Sequence, residues 1–596
     1  MKDNEIAWDL TEIFSSQDDP RISNNMDTLQ KQADDFVSTY KGKINTATFS
    51  AENLYDLFKK QEKFEADIDE LNTYAHLSYD ANMTVPESEA LKKKVDDFVT
   101  ESSKTLAFFT LEIGKLVHSK QELINNPALK DYKHYLEKVR RGVPHLLSEI
   151  EEQLILEKDQ YGVRAWSELQ GKWLNTREFE VMVEGEKKVL SYGEANSLIR
   201  HPDRATRISA NKSIYGLLGK NQEIFSTALR NICSDWMKIT KRRNYESPMH
   251  HSFIFNDTNQ VIIDNLMKVI EENVEVYQRY LRLKAKVMKL SKLTCADVVA
   301  PLEAPSMKKR SWDEAKELNL EAYGKVDDDF EKFVSDMFDR NHIDAAVRRG
   351  KRNGAYCASW YNGKSAFILQ SFTGTLSEVY TLTHELGHAI HDYLASNNQS
   401  YFNLHPGYTV AETASTFGEL LMVDLLLTKA ESKDEKMAIL ADVLDNAGQA
   451  AFQVSGRVFF EQSLYEAIEN GENLDGPTIS KYWCAGRDRI YGDSVEWFGE
   501  MIWEWTMKPH YYMPNFRFYN YPYVYAQLFV FALYRKYKED GKAFIPKFKK
   551  LLSAGGSLSP VELANIVGLD ITKPDFWKLG INQIEEFVNE FEKMVD

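Results

Sequence analysis

The spacing of apolar residues constrains this chain more than any other feature, because it is the spacing of helices and it recurs over long stretches. After Ser50, a residue suited to cap a helix N-terminus, apolar side chains fall at Leu54, Leu57, Phe58, Phe64, Ile68, Leu71 and Ala75, largely one helical face. Leu129, Tyr132, Leu136 and Val139 repeat at i, i+3, i+7 and i+10. Residues that break helices are scarce, with 29 Gly and 16 Pro in 596. Two short stretches depart from the pattern. Residues 179–183 and 188–190 flank Glu184-Gly185-Glu186-Lys187 and read as a hairpin, and residues 366–372 read as a further strand. Ser191 with Glu194, and Ser559 with Pro560 and Glu562, have the form of capped helix starts. There is no repeat of solenoid length. The chain is therefore expected to be mainly α with a small β element. The change of texture over residues 185–205 suggests a division into a helical N-terminal part, 1–200, and a second domain, 201–590.

Composition narrows the class. With 43% hydrophobic and 27% charged residues, the chain can form a large core and is not intrinsically disordered. Size alone allows about four domain-equivalents. The 73 basic and 90 acidic residues leave a net charge of −17, which argues against nucleic acid as the main partner. Cys233, Cys295, Cys357 and Cys484 stand alone, without a CxxC, as reduced thiols do in cytosolic proteins. The first ten residues carry charge where a signal peptide needs an apolar run. No stretch reaches the roughly 18 apolar residues of a membrane span. A cytoplasmic, soluble protein with no membrane association is the expectation.

One motif carries chemistry: His384-Glu385-Leu386-Gly387-His388. Histidines at i and i+4 on a helix stand one above the other, so both imidazoles can reach one metal ion. Glu385 lies about 100° around the helix, within reach of a water on that metal. The surrounding sequence favours a helix: Thr375 and Glu378 form a capping box, and Val379, Leu382, Leu386, Ala389 and Tyr393 make an apolar stripe. On a helical wheel the stripe lies opposite His384, His388 and His391. A polar face of this kind is most often simply solvated, so the discriminating feature is a third ligand.

Between residues 389 and 420 the acidic residues are Asp392, Glu412 and Glu419. Asp392 sits on the motif helix with its side chain pointing away from the histidine pair. Glu412 lies 24 residues beyond His388, far enough for the helix to end, turn near Gly407 and return. Alone, Glu412 reads as a capping-box glutamate of a helix starting at Thr409; beside HExxH it is the candidate third ligand. His391 is read as a supporting or solvated residue, since three ligands from one helix rarely enclose a tetrahedral ion. Two His and one Glu leave a coordination position open, as catalytic zinc sites do, so one zinc ion per chain is expected. Glu419, i+7 from Glu412, is placed to orient a ligand histidine, or to be a solvated glutamate. Donors for a developing oxyanion are offered by the segment from His510 to Tyr523, although tyrosines this dense also suit a core wall.

These residues resemble the oligoendopeptidase F branch of the thimet-oligopeptidase zinc peptidases. The resemblance rests on the HExxH motif, Glu412-Thr-Ala-Ser415 and Phe518-Tyr-Asn-Tyr-Pro-Tyr523, reinforced by Gly354-Ala-Tyr-Cys357, Ser371-Phe-Thr-Gly374 and Gly555-Gly-Ser-Leu-Ser-Pro560. It covers residues 350–580, while residues 1–200 match in texture only. It implies a large helical, bowl-like metallopeptidase fold, with the HExxH helix and a small β element beside a deep cleft that admits short, extended peptides. It further implies His384, His388 and Glu412 as zinc ligands, Glu385 as general base and His510 as the transition-state histidine, with Tyr523, or second Tyr519, as companion phenol. Relatives often carry Gly-Tyr where this chain has Ala526-Gln527, and an alignment of the family's phenol with Gln527 would displace both tyrosines.

Two other readings compete. A carboxypeptidase on the same ligands needs a cationic clamp, for which Arg140, Arg141, Arg349 and Arg352 are available; the Gly-x-Met-Glu-Asn stretch of aminopeptidases is absent. A catalytically silent helical peptide-binding protein would have no use for Glu385. The substrates expected are short peptides, and the oligomeric state, monomer or homodimer, is left open.

Overall fold

Helices form where the apolar spacing predicts them. The computed structural model describes residues 6–46, 48–302 and 309–595. Its longest helix, Ala51–Ala81, starts on Ser50, whose side chain accepts from the Asn53 N–H while the Asn53 side chain answers to the Ser50 N–H. Reciprocal caps of the same kind form at Ser191 with Glu194, Thr375 with Glu378 and Ser559 with Glu562, as the sequence suggests.

By its packing the chain divides into two units, each assembled from three separated stretches. The first comprises Met1–Val143, Lys308–Leu425 and Lys536–Asp570. Its core gathers Leu29, Phe36, Leu57, Phe58, Phe64, Leu116 and Tyr132 from the N-terminal helices with Trp360, Phe367 and Leu369 from a sheet. That sheet has three strands in the order Ile343–Asp344, Ser365–Leu369, Tyr356–Trp360, the first pair parallel and the second antiparallel. The central strand is buried at every residue, which is why its sequence reads as an unbroken apolar run. The sheet packs on the motif helix, Leu376–Asn398, and so does helix Ile545–Ser553 from the third stretch. Phe548 stacks on Phe417 with ring centroids 4.4 Å apart, and the Gly556 N–H donates to the Asn403 carbonyl at 2.8 Å.

The second unit comprises Pro144–Met307, Leu426–Arg535 and Ile571–Asp596. Its hairpin joins Glu178–Val183 to Glu186–Ser191 with Val183 opposite Glu186. The loop is thus only Glu184-Gly185, both at positive φ (51° and 87°), the backbone of a type I′ turn. A cut at residue 200 does not coincide with either unit, since residue 200 lies within the first stretch of the second. The texture change marks a switch of secondary structure that packing bridges. The Met182 N–H donates to Ser209 Oγ at 2.8 Å and the Glu184 N–H to Thr206 Oγ1 at 2.9 Å, fastening the hairpin to helix Arg204–Lys220.

No helix among the described residues is long and apolar enough to cross a membrane. The four cysteines are free thiols.

Candidate active site

The HExxH segment is helical, and the capping geometry explains where that helix starts. Thr375 Oγ1 accepts the Glu378 N–H, while Glu378 accepts the N–H groups of Thr373 and Thr375, so the strand-to-helix turn is held from both sides. Val379, Leu382, Leu386 and Ala389 are fully buried, as the stripe requires. His384 and His388 stand on the opposite side, half-buried, with ring centroids 4.9 Å apart.

Glu412 reaches both. Its Oε2 lies 3.3 Å from His384 Nε2 and 3.3 Å from His388 Nε2. Chain direction and a glycine achieve this. A four-residue helix, Tyr408–Ala411, ends at Glu412, and helix Thr413–Lys429 begins immediately after it. The backbone there runs against Gly387, where a Cβ would meet the Ala414 carbonyl oxygen at 2.5 Å and Ser415 Cα at 2.6 Å. The glycine inside the motif therefore permits the approach that brings the carboxylate to the histidines. Ser415 Oγ donates to Glu412 Oε2 at 2.8 Å and helps aim it.

The three donor groups lie within 4.8 Å of one another. They fit one small cation: ligands at the roughly 2.0–2.1 Å usual for zinc in a tetrahedral site are separated by about 3.3–3.4 Å. That is the separation of Glu412 from each histidine. Glu419 Oε1 contacts His384 Nδ1 at 2.5 Å, leaving Nε2 for the ion, so the orienting role open to Glu419 is the geometry observed. Burial opposes a charge on His384, yet the hydrogen bonds from Glu412 and Glu419 override it and raise its pKa to about 10. Burial opposes ionisation of Glu412 as well, and the bonds to His384 and His388 carry its pKa well below the usual range. Replacing Glu419 by Gln is expected to weaken metal binding about 10- to 100-fold. Chelator competition measures this, with hydrolysis largely restored at saturating metal.

Glu385 is 7% exposed, and burial pushes its pKa up. With His388, His391, Asp392, His405 and Tyr408 it lines a cavity of about 470 Å³. Two readings of neighbouring residues change here. His391 is not solvated but buried, its pKa lowered to about 3 chiefly by burial. Asp392 does not turn away from the site: it lines the same cavity, where burial raises its pKa to about 7. The i+4 spacing from His388 to Asp392 already sets that carboxyl on the histidine side of the helix, which is the side the cavity follows. His405, on the connection before Glu412, was not singled out and carries no motif that would reveal it.

His510, Tyr519 and Tyr523 come together in the second unit. His510 stacks on Tyr519 at 5.7 Å and meets Tyr523 edge-on at 6.1 Å. Their segment is anchored from beneath by Glu461, which accepts the Phe518 N–H at 2.9 Å and pairs with Arg517 at 3.3 Å. The tyrosine-rich stretch thus sorts into two kinds. Tyr511, Tyr512, Tyr521 and Tyr525 are buried core residues, whereas Tyr519 is partly exposed and Tyr523 is 43% exposed. Gln527 lies one turn beyond Tyr523 on helix Tyr521–Asp540, hence on the same face. Burial lowers the His510 pKa, with Arg457 and Lys508 acting in the same direction.

A mainly helical protein in which a glutamate from a later turn joins the two histidines of an HExxH helix has the form of a metalloendopeptidase. Residues 197–582 match the model of peptidase family M3, and residues 119–176 match that of oligopeptidase F; the chain belongs to peptidase family M3. Oligopeptidase PepF of Bacillus subtilis is 26% identical over 605 aligned residues, spanning 99% of this chain and 87% of the relative. Group B oligopeptidase PepB of Streptococcus agalactiae is 26% identical, spanning 100% and 98%. Among solved structures, a candidate peptidase from Chlamydophila abortus superposes with a TM-score of 0.90 at 22% identity, covering 99% of this chain and 98% of the other. Oligoendopeptidase-F from Enterococcus faecium gives 0.66 at 21% identity, covering 97% and 98%. These structures share the fold.

Proposed function

We propose that the protein is a zinc-dependent endopeptidase of short, unstructured peptides, with one zinc ion held by His384, His388 and Glu412. The observation that carries this reading is the spacing of 3.3 Å from Glu412 to each histidine. Zinc held by these three residues would supply a water of lowered pKa and a Lewis acid for the substrate carbonyl. Glu385 accepts the proton of the attacking water and passes it to the leaving amine, so hydrolysis proceeds without a covalent enzyme intermediate. Glu419 holds the His384 tautomer that leaves Nε2 available. His510, with Tyr523 or Tyr519, supplies hydrogen bonds to the developing oxyanion. The lone free thiols suit a cytoplasmic setting.

A carboxypeptidase would need an available cationic clamp. Of the four arginines considered, Arg352 is already paired with Asp80 at 2.8 Å, and the oligoendopeptidase F relatives favour internal cleavage. An internally quenched peptide blocked at both ends is therefore expected to be cut about as fast as its free-ended counterpart. Hydrolysis confined to the free-ended peptide would make the protein an exopeptidase.

A further inference from the structure

The second unit contains a small cavity rich in unpartnered donors. Helices Val454–Glu469 and Gly476–Tyr491 pack closely because Gly456 and Gly486 face each other; a Cβ on Gly486 would lie 2.5 Å from the Gly456 carbonyl oxygen. The next residue on each helix is an arginine, and both Arg457 and Arg487 line one cavity with Trp483, Trp497 and Glu504. Its volume is about 20 Å³, room for one water-sized occupant. Arg457 Nε, Arg487 Nη1, Trp483 Nε1 and Trp497 Nε1 are all buried and have no hydrogen-bond partner among the described residues. Elsewhere in this unit the buried indoles of Trp505 and Trp577 are partnered, by Ser480 Oγ at 3.0 Å and the Ile571 carbonyl at 3.1 Å.

Charge points the same way. Arg487 is paired with Asp488 at 2.8 Å and Lys508 with Glu504 at 2.7 Å. Arg457 has no carboxylate partner among the described residues, so the cavity wall carries one uncompensated positive charge. A lone water can give a proton to Glu504 in the wall, but it accepts from only two of the four donors and brings no negative charge. A halide accepts from all four and cancels the charge.

We propose that this cavity binds a single monatomic, monovalent anion, with chloride as the physiological occupant. The site adjoins the residues that bear His510: Glu504 in its wall belongs to the turn Gly499–Met507 just before them, and the Tyr511 hydroxyl donates to the Arg457 carbonyl at 3.2 Å. An occupied cavity therefore ties helix Val454–Glu469 to those residues.

Two measurements on the metal-loaded protein test this. In crystals grown with sodium bromide, an anomalous difference peak is expected among the four donors. In solution, the thermal midpoint is expected to rise and saturate as chloride replaces methanesulfonate at constant ionic strength. Arg457→Gln should abolish that rise, and Trp483→Phe, which removes one donor with little change of shape, should reduce it if the first variant does not fold. A water without bromide signal at this position, a midpoint indifferent to chloride, or an undiminished response in Trp483→Phe would each overturn the proposal.

Discussion

Replacing Glu385 by Gln is expected to leave a protein that keeps its metal and hydrolyses peptides about 10²- to 10⁴-fold more slowly, the range a positioned acid–base group supplies. One helix performs two separate jobs. His384 and His388 offer nitrogen atoms, and their hydrogen-bond partners among the described residues are Glu412 and Glu419, not Glu385. The amide of Gln has nearly the volume of the carboxylate, so the buried position is filled without strain. It accepts no proton, so both the activation of water and the protonation of the departing amine are lost. The loss should fall on kcat, with KM little changed, because the residue acts as charge moves. Turnover undiminished in metal-replete variant protein would remove Glu385 from the mechanism.

The second large effect is expected at Glu412. Truncation to Ala removes the one carboxylate within 3.3 Å of both histidines, and the motif helix alone cannot enclose an ion. Metal retention should fall by more than the roughly 10- to 100-fold expected when a supporting partner is lost. Activity should fall with it, and excess zinc should restore little. Metal analysis after dialysis reads the outcome directly. Stoichiometric zinc in Glu412→Ala would place the third ligand elsewhere, with Asp392 and His391 as the residues to examine, since both line the adjoining cavity.

Local features were legible in the sequence. The caps at Ser50, Ser191, Thr375 and Ser559 depend on residues three apart, and the motif helix on a stripe that repeats within it, so no knowledge of the rest of the chain was needed. The hairpin was legible for the same reason, although its turn is two residues long and not four. Strands Ile343–Asp344 and Tyr356–Trp360 were not anticipated, because the first is two residues long and the second is only partly buried, with no clean alternation. The reason for Gly387 was equally hidden: it answers to Ala414 and Ser415, which no local pattern links to it. Asp392 lies i+4 from His388, so its place on the histidine side was legible in the spacing; the burial of His391 was not, because the cavity beside it is completed by residues 355–359 and 405–411.

The interleaving of the two units has a consequence for synthesis. The proposed ligands lie between residues 384 and 412, but the helix and loop that brace them, Ile545–Ser553 and the glycines at 555 and 556, are translated more than a hundred residues later. At about 5–20 residues per second, that is a delay of roughly 7–30 s during which the HExxH helix and its sheet have been made but the helix Ile545–Ser553 that packs on it has not. The nascent chain must therefore keep two histidines and a glutamate available, to the right metal and to wrong ones, until almost all of it has left the ribosome. A stalled or prematurely ended chain would carry the whole HExxH motif without the late helix that packs on it.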